Sequence, residues 1–182
     1  MDKRCRCDLP YPPVEVTCPN PAALPILRDL YAGRRSELGA ITQYCYQSFL
    51  LSGEREPIAK LLRDIAIVEM HHLEMLGRLI CLCGGTPDFA GGRRQWWNGS
   101  FVSYRKDLCG ALLLSLSDEV AAVEAYKKAA CRVQDPKIQA VLQRIAMDEA
   151  LHVQLLREEI TGCGCPQRSA SAGASCPPSA RA

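Results

Sequence analysis

The sequence predicts an all-α fold, a four-helix bundle in which a long crossover joins two antiparallel helical hairpins. Apolar residues recur at intervals of three and four along four stretches of the chain, as amphipathic helices require. Two of these stretches repeat each other in sequence. Residues 86–107, which lack this periodicity, separate the second stretch from the third, and a connection of that length can return along the whole bundle. We therefore expect the third helix to run parallel to the second.

The helix boundaries follow from residues that start or stop helices. We expect the first helix to be continuous over residues 21–51 and to end before Gly53. Pro57 is tolerated in the first turn of the second helix, and Asp135 followed by Pro136 is typical of a capped helix start. The remaining helices are expected at residues 57–84, 107–133 and 135–162.

Segments outside the helices have distinct compositions. Residues 1–20 are rich in proline and are expected to form an extended arm that lies on the bundle, which spans residues 21–162. Residues 163–182 are rich in Ser, Ala, Gly and Pro, and we expect them to be a disordered tail. Within the connection, Trp96, Trp97 and Phe101 are expected to pin the chain to the bundle.

The composition excludes several classes of function. The chain of 182 residues is 48% hydrophobic, enough for one domain with its own core. Its formal charge of +2 comes from intermixed acidic and basic residues, so neither nucleic acid nor an anionic membrane is an expected partner. No stretch has the pattern of a secretory signal, and no apolar run is long enough to span a bilayer. We expect a cytoplasmic protein.

Eleven cysteines would suggest a disulfide scaffold in a small secreted protein, but their number is odd and helical hairpins need no cross-links. A reducing compartment fits better. Cys45, Cys109 and Cys131 fall within apolar helical patterns, where a free thiol acts as a small hydrophobe. The cysteines near the two ends of the chain could bind a soft metal or form redox pairs, although they lack the usual Cys-x-x-Cys zinc spacing. They are Cys5, Cys7, Cys18, Cys163, Cys165 and Cys176.

The repeat carries the main functional signal. Residues 61–76 align without gaps on residues 141–156, and the identical positions fall on one helical face. Each copy places a Glu-x-x-His pair on the same stripe as core Leu, Ile and Ala residues: Glu69 with His72, and Glu149 with His152. Burying a carboxylate costs several kcal/mol unless its charge is compensated, and a bound metal pair would compensate both copies at once.

The other helix of each hairpin supplies one more carboxylate. Glu37 and Glu69 lie equally far from the turn at Gly53, so an antiparallel pair places them at one height. The same reasoning pairs Glu119 with Glu149 across the second turn. Glu124 competes with Glu119 but is out of register, and Glu119 is the preferred ligand.

Neighbouring polar residues are assigned other roles. Tyr44 and Tyr126 follow Glu37 and Glu119 by seven residues and return to nearly the same face, where they could bond ligand carboxylates or simply fill the core. Asp148 could orient an imidazole across the bundle, although the other half of the repeat has no acid at the matching position. His71 points about 100° away from His72 and is left out of the site.

Four inward carboxylates and two histidines match the ligand set of di-iron and di-manganese bundles. We therefore predict two metal ions per chain, Mn or Fe, because hard oxygen ligands and imidazoles suit both. The predicted ligands are Glu37, Glu69, His72, Glu119, Glu149 and His152. Glu69 and Glu149 are the predicted bridging and catalytic residues.

With these residues in place, the chain resembles the ferritin-like superfamily. The segments YAGRRSELGAITQYCYQ and IAIVEMHHLEMLGRLICLCGG are most similar to its manganese-catalase and rubrerythrin-related branch. The resemblance implies that both Glu-x-x-His pairs and both single helix glutamates bind the metals. No rubredoxin-type pair of Cys-x-x-Cys motifs is present, which argues against a complete rubrerythrin.

Three functions remain open from the sequence. The first is an oxidoreductase of catalase or peroxidase type acting on hydrogen peroxide or dioxygen. The second is a ferritin-like protein that oxidises and stores Fe(II), and the third is a structural or assembly protein that a metal pair stabilises. In each case we expect a homo-oligomer with a small-molecule partner.

Overall fold

The structure is a computed structural model that describes residues 5–166, and this part of the chain is helical without a β-sheet. A short 3-10 turn at Pro21–Ala23 precedes the first helix, and a second one, Gly99–Phe101, lies in the connection. The α-helices are α1 (Leu24–Ala32), α2 (Glu37–Leu51), α3 (Glu56–Leu82), α4 (Leu108–Arg132) and α5 (Pro136–Gly162). Of the predicted disordered tail, residues 163–182, the structure describes 163–166, where Cys165 is buried. Residues 167–182 lie outside the described residues, and the predicted domain boundaries stay a prediction.

Helices α2 and α3 form one hairpin and α4 and α5 form the other. Side-chain contacts give the direction of the hairpins relative to each other. Tyr44 of α2 bonds Glu119 of α4, while Tyr126 of α4 bonds Glu37 of α2, so these two helices are antiparallel. Because α2 and α3 are also antiparallel, α3 and α4 run in the same direction. The predicted four-helix bundle with a long crossover is thus confirmed.

The prediction of one continuous helix over residues 21–51 is wrong, because the chain breaks between α1 and α2. Gly33 ends α1 with its backbone N–H donating to the carbonyl of Asp29, and an added Cβ would lie 2.4 Å from that oxygen. Ser36 then caps α2 by accepting from the N–H of Gly39. The break makes Glu37 the first residue of α2, where the helix dipole favours a carboxylate.

The N-terminal arm lies against α5, as expected. Arg144, only 5% exposed, donates hydrogen bonds to the carbonyl oxygens of Cys7 and Leu9 at 2.8 Å. Its guanidinium also lies over the ring of Tyr11, 4.2 Å from the ring centroid. One buried side chain of the bundle therefore holds several residues of the arm.

The connection is anchored by part of its predicted aromatic cluster. Trp97 packs against the core and contacts Phe101 edge to face, with ring centroids 6.4 Å apart. Trp96 is 64% exposed, so its predicted anchoring role is wrong. Its backbone pairs with Ala90 in an isolated β-bridge.

No helix among the described residues has the length and apolar character to cross a membrane.

Two expectations about cysteines are also wrong. Cys109, predicted to be a free thiol, forms a disulfide with Cys165. The start of α4 and the end of α5 meet at one end of their hairpin, a proximity that local helical periodicity does not reveal. Cys131 is exposed rather than packed in the core, whereas Cys45 is a partly buried thiol as expected.

We expect the Cys109→Ser variant to be less stable to unfolding than the oxidised protein by about 2–4 kcal/mol. The disulfide closes a loop between residues 56 positions apart, so its loss gives the unfolded chain more freedom. Urea denaturation with and without a reductant measures the difference. The variant itself should be insensitive to the reductant, and equal stability of both proteins under oxidising conditions would contradict the prediction.

Candidate metal centre

The two Glu-x-x-His pairs face each other in the middle of the bundle. Glu69 and His72 of α3, and Glu149 and His152 of α5, are at most 2% exposed. Spacing of three residues puts each Glu and its His on one helical face. Because α3 and α5 are antiparallel, each histidine also lies beside the glutamate of the opposite helix.

His72 stands within one group of three carboxylates. Its Nδ1 lies 2.8 Å from an oxygen of Glu69, 3.1 Å from one of Glu149 and 3.6 Å from one of Glu37. Glu37 is 4% exposed, so this whole group is buried. The arrangement brings a carboxylate from each of three helices to one imidazole nitrogen.

His152 stands within a second group of the same kind. Its Nδ1 lies 3.1 Å from an oxygen of Glu69, and 3.5 Å from oxygens of both Glu119 and Glu149. Glu119 is 3% exposed. The second group resembles the first with the two hairpins exchanged. Glu119 stands beside His152 as Glu37 stands beside His72.

The donor atoms in these groups fit two metal ions. In each group, one donor atom per residue can be chosen so that all lie within 4.8 Å of one another, and Glu69 and Glu149 belong to both groups. Four buried donor atoms have no hydrogen-bond partner: Glu69 Oε1, Glu119 Oε2, Glu149 Oε1 and His152 Nδ1. Buried polar atoms are normally paired by hydrogen bonds, so four such atoms close together fit the binding of a cation. The predicted cofactor, a pair of Mn or Fe ions, agrees with this donor set.

The outer oxygens of two carboxylates are held by tyrosines from the opposite hairpin. The hydroxyl of Tyr44 donates to Glu119, and that of Tyr126 donates to Glu37. Both tyrosines are at most 2% exposed. Each bond leaves the second oxygen of its glutamate turned toward a histidine, so the tyrosines orient the carboxylates and join the two hairpins.

The histidines use their other ring nitrogen for unlike partners. His72 Nε2 lies 3.1 Å from an oxygen of Asp148, while His152 Nε2 lies 2.8 Å from the backbone carbonyl oxygen of Cys5 in the arm. A carbonyl can only accept, so Nε2 of His152 carries the hydrogen and Nδ1 faces the carboxylates. In the other half of the repeat, the position that matches Asp148 is Val68, which has no carboxylate to bond His152. The backbone carbonyl of Cys5 in the arm bonds His152 instead.

Asp148 is itself held by three groups besides His72. It accepts from the Cys7 backbone N–H at 2.6 Å and from the Tyr11 hydroxyl at 2.5 Å, and it pairs with Arg144 at 2.7 Å. Burial raises the pKa of Asp148, but the hydrogen bonds from His72, Tyr11 and Cys7 outweigh it and lower that pKa to about 2. Asp148 is therefore an ionised partner of His72. Its contact with His72 agrees with the role suggested by the sequence, in which Asp148 orients an imidazole across the bundle.

Burial and neighbouring groups shift the pKa of the site's carboxyl groups in different directions. Burial, followed by the charges of Glu69 and Glu149, raises the pKa of Glu37 and Glu119 well above the usual value. Burial also raises the pKa of Glu149, but its hydrogen bonds to both histidines together outweigh burial. The pKa of Glu149 therefore lies below the usual value. The pKa of each histidine rises because its carboxylate partners outweigh burial.

The alternatives left out of the predicted site lie on the surface. Glu124 is exposed and pairs with Lys127 at 3.2 Å, so the structure places Glu119, and not Glu124, among the inward carboxylates. His71 is exposed as well. All six predicted ligands come together, whereas Cys5, Tyr11 and Arg144 were missed because their contribution depends on where the arm lies.

Comparisons with known proteins agree with this geometry. The family model for manganese containing catalase matches residues 8–91. A probable manganese catalase from Clostridium acetobutylicum is 23% identical over 168 residues, which cover 81% of this chain and 74% of that protein.

Two solved structures share the fold. Wild-type KatB, a manganese catalase from Anabaena, has a TM-score of 0.81 and 24% identity, covering 96% of this chain and 86% of its own. A bacterioferritin from Desulfovibrio desulfuricans has a TM-score of 0.64 and 26% identity, covering 79% and 82%. These likenesses confirm the ferritin-like fold expected from the sequence.

We expect Asp148→Asn to weaken binding of one metal ion by about 10- to 100-fold, because the charged partner that orients His72 is lost. Chelator competition followed by metal analysis measures the affinity. Asp64→Asn is the matched control, since Asp64 is a partly exposed carboxylate of α3 that pairs with Lys60 at 2.6 Å and does not contact either histidine's ring nitrogens. Unchanged affinity for both ions in Asp148→Asn would show that this carboxylate does not support the metal centre.

Proposed function

We propose that this chain, a ferritin-like protein with a dimetal carboxylate centre, is an oxidoreductase that acts on hydrogen peroxide in the manner of a manganese catalase or a peroxidase. The observation that carries the proposal is the sharing of Glu69 and Glu149 between both groups of metal donors. A carboxylate common to two sites could hold two ions close together, and a pair of redox-active ions held in this way could exchange two electrons with one substrate molecule. When bound, a pair of Mn or Fe ions supplies the two-electron redox chemistry that peroxide requires.

We assign the ligands of one ion as Glu37 and His72 and those of the other as Glu119 and His152, with Glu69 and Glu149 between them. The protein's remaining contribution is positional. Tyr44 and Tyr126 hold the terminal carboxylates through hydrogen bonds from their hydroxyls. On the opposite side, Asp148 and the Cys5 carbonyl fix the orientation of the imidazoles.

The likeness to manganese catalases supports peroxide as the substrate, and the likeness to a bacterioferritin keeps iron oxidation and storage as the alternative. We also propose a cytoplasmic location. A homo-oligomer remains a prediction that sedimentation analysis can test. Phe49 is 74% exposed on α2 and would suit such an interface.

We expect Glu69→Ala and Glu149→Ala each to abolish stoichiometric binding of the metal pair while leaving the protein helical. Each change removes a ligand shared by both groups. Metal analysis and circular dichroism measure the two properties. Glu124→Ala is the matched control on α4, because Glu124 is exposed and should leave metal content unchanged. If both variants retained two ions per chain, the centre would be misplaced.

We expect the Mn-loaded protein, the Fe-loaded protein or both to consume hydrogen peroxide, with evolution of oxygen if the reaction is disproportionation. An oxygen electrode and a peroxide assay with an added electron donor distinguish the catalase type from the peroxidase type. Glu149→Ala should be inactive in both. Loss of Fe(II) into a protein-bound mineral without peroxide turnover would favour the storage function instead.

A further inference from the structure

A cleft of about 330 Å³ lies between α2 and α4 and reaches the carboxylates of the metal centre. Glu69 and Glu149 line its inner end, and the exposed residues Arg34 and Arg35 line its outer end. A water molecule occupies about 30 Å³ in the liquid, and cavities that bind organic molecules begin at about 300 Å³. The cleft is therefore several times larger than hydrogen peroxide requires.

Much of the wall between the two ends of the cleft is apolar. It includes Leu30, Ala40, Phe101, Leu114, Ala122 and Ala125. The alanines of α2 and α4 leave space between these helices that the ring of a small aromatic molecule can fill. Burial of such a ring would remove apolar surface from water on both sides.

Besides the carboxylates of the metal centre, the cleft contains a buried amide whose nitrogen lacks a partner. Gln43 is 7% exposed, and its Oε1 accepts from the Ser103 backbone N–H at 2.7 Å. That bond fixes the amide, so Nε2 is the free end, and it has no hydrogen-bond partner. Because buried donors are normally satisfied, Gln43 calls for an acceptor oxygen on a molecule within the cleft.

The charges at the outer end are already engaged. Arg35 lies 3.5 Å from Asp118, and the guanidinium of Arg34 lies over the ring of Phe101, 5.6 Å from its centroid. Five carboxylates also line the cleft and disfavour an anionic molecule: those of Glu37, Glu69, Asp118, Glu119 and Glu149. The cleft therefore suits a neutral aromatic molecule that carries an oxygen.

We propose that the cleft binds a small phenolic molecule, whose ring lies between the apolar walls and whose oxygen accepts from Gln43, and that this molecule is the electron donor for peroxide reduction. The proposal rests on the proposed function and names its second substrate. With 1,4-hydroquinone as the donor, two electrons and two protons leave its hydroxyl groups. The O–O bond of hydrogen peroxide breaks, each oxygen leaves as water, and benzoquinone is released.

Binding is tested with 4-fluorophenol on the metal-loaded protein, followed by fluorine NMR. We expect saturable binding to the wild type, and a dissociation constant about fivefold higher in Gln43→Leu, which loses one hydrogen bond. Gln47→Leu is the matched control. Gln47 is also buried on α2, has an unpaired Nε2 of its own and does not line the cleft, so this variant should bind as the wild type does.

Ala122→Phe provides a second variant that does not depend on Gln43. A phenyl group there should fill the space between the walls and remove saturable binding, while circular dichroism and metal content confirm an intact bundle. Absence of saturable binding to the wild type would overturn the proposal. Binding that survives in Ala122→Phe would overturn it too, because the probe would then occupy another place.

Turnover separates this proposal from the proposed function. The wild type supplied with peroxide and 1,4-hydroquinone should form one benzoquinone for each peroxide consumed, and Ala122→Phe should form it more slowly. Peroxide loss with oxygen evolution but without quinone would leave the proposed function standing and refute the phenolic donor. If neither peroxide nor 1,4-hydroquinone were consumed, both the proposed function and the phenolic donor would be refuted.

Discussion

The structure depends on one constraint, the burial of four carboxylates and two imidazoles in the core of a bundle. A carboxylate removed from water costs several kcal/mol unless opposite charge or hydrogen bonds compensate it. Here burial and neighbouring charges raise the pKa of Glu37 and Glu119, and the carboxylates raise the pKa of both histidines, so the protonated form of each of these groups is favoured. A pair of metal cations would offset the same negative charge, and the two groups of donor atoms would hold it.

This constraint explains features of the fold that lie away from the ligands. The break between α1 and α2 places Glu37 at a helix start, where its charge is favoured. The exchange of bonds by Tyr44 and Tyr126 fixes the hairpins relative to each other, because each tyrosine holds a carboxylate of the opposite hairpin. Packing of apolar faces alone would allow neighbouring registers, whereas these bonds form in one register only.

Much of the fold and all six proposed ligands could be predicted from the sequence, because they depend on periodicity and on distance from a turn. The repeat of Glu69 and Glu149 on matching apolar faces needed no three-dimensional information. The disulfide between Cys109 and Cys165 did need it, since these residues are far apart in the chain. The role of Cys5 was out of reach for a stronger reason. It acts through a backbone carbonyl, which every residue possesses and which leaves no mark in a sequence.

The two sides of the metal centre differ in access, and the arm is the cause. On the α3 and α5 side, the arm covers the histidines: Cys5 meets His152 directly, and Tyr11 and Cys7 hold the aspartate that meets His72. On the α2 and α4 side, small residues leave a cleft that reaches the carboxylates. The groups that orient the imidazoles and the cleft therefore lie on opposite faces of one bundle. A change in the cleft can alter which molecules enter without disturbing the imidazoles, whereas a change in the arm acts on the metal ligands first.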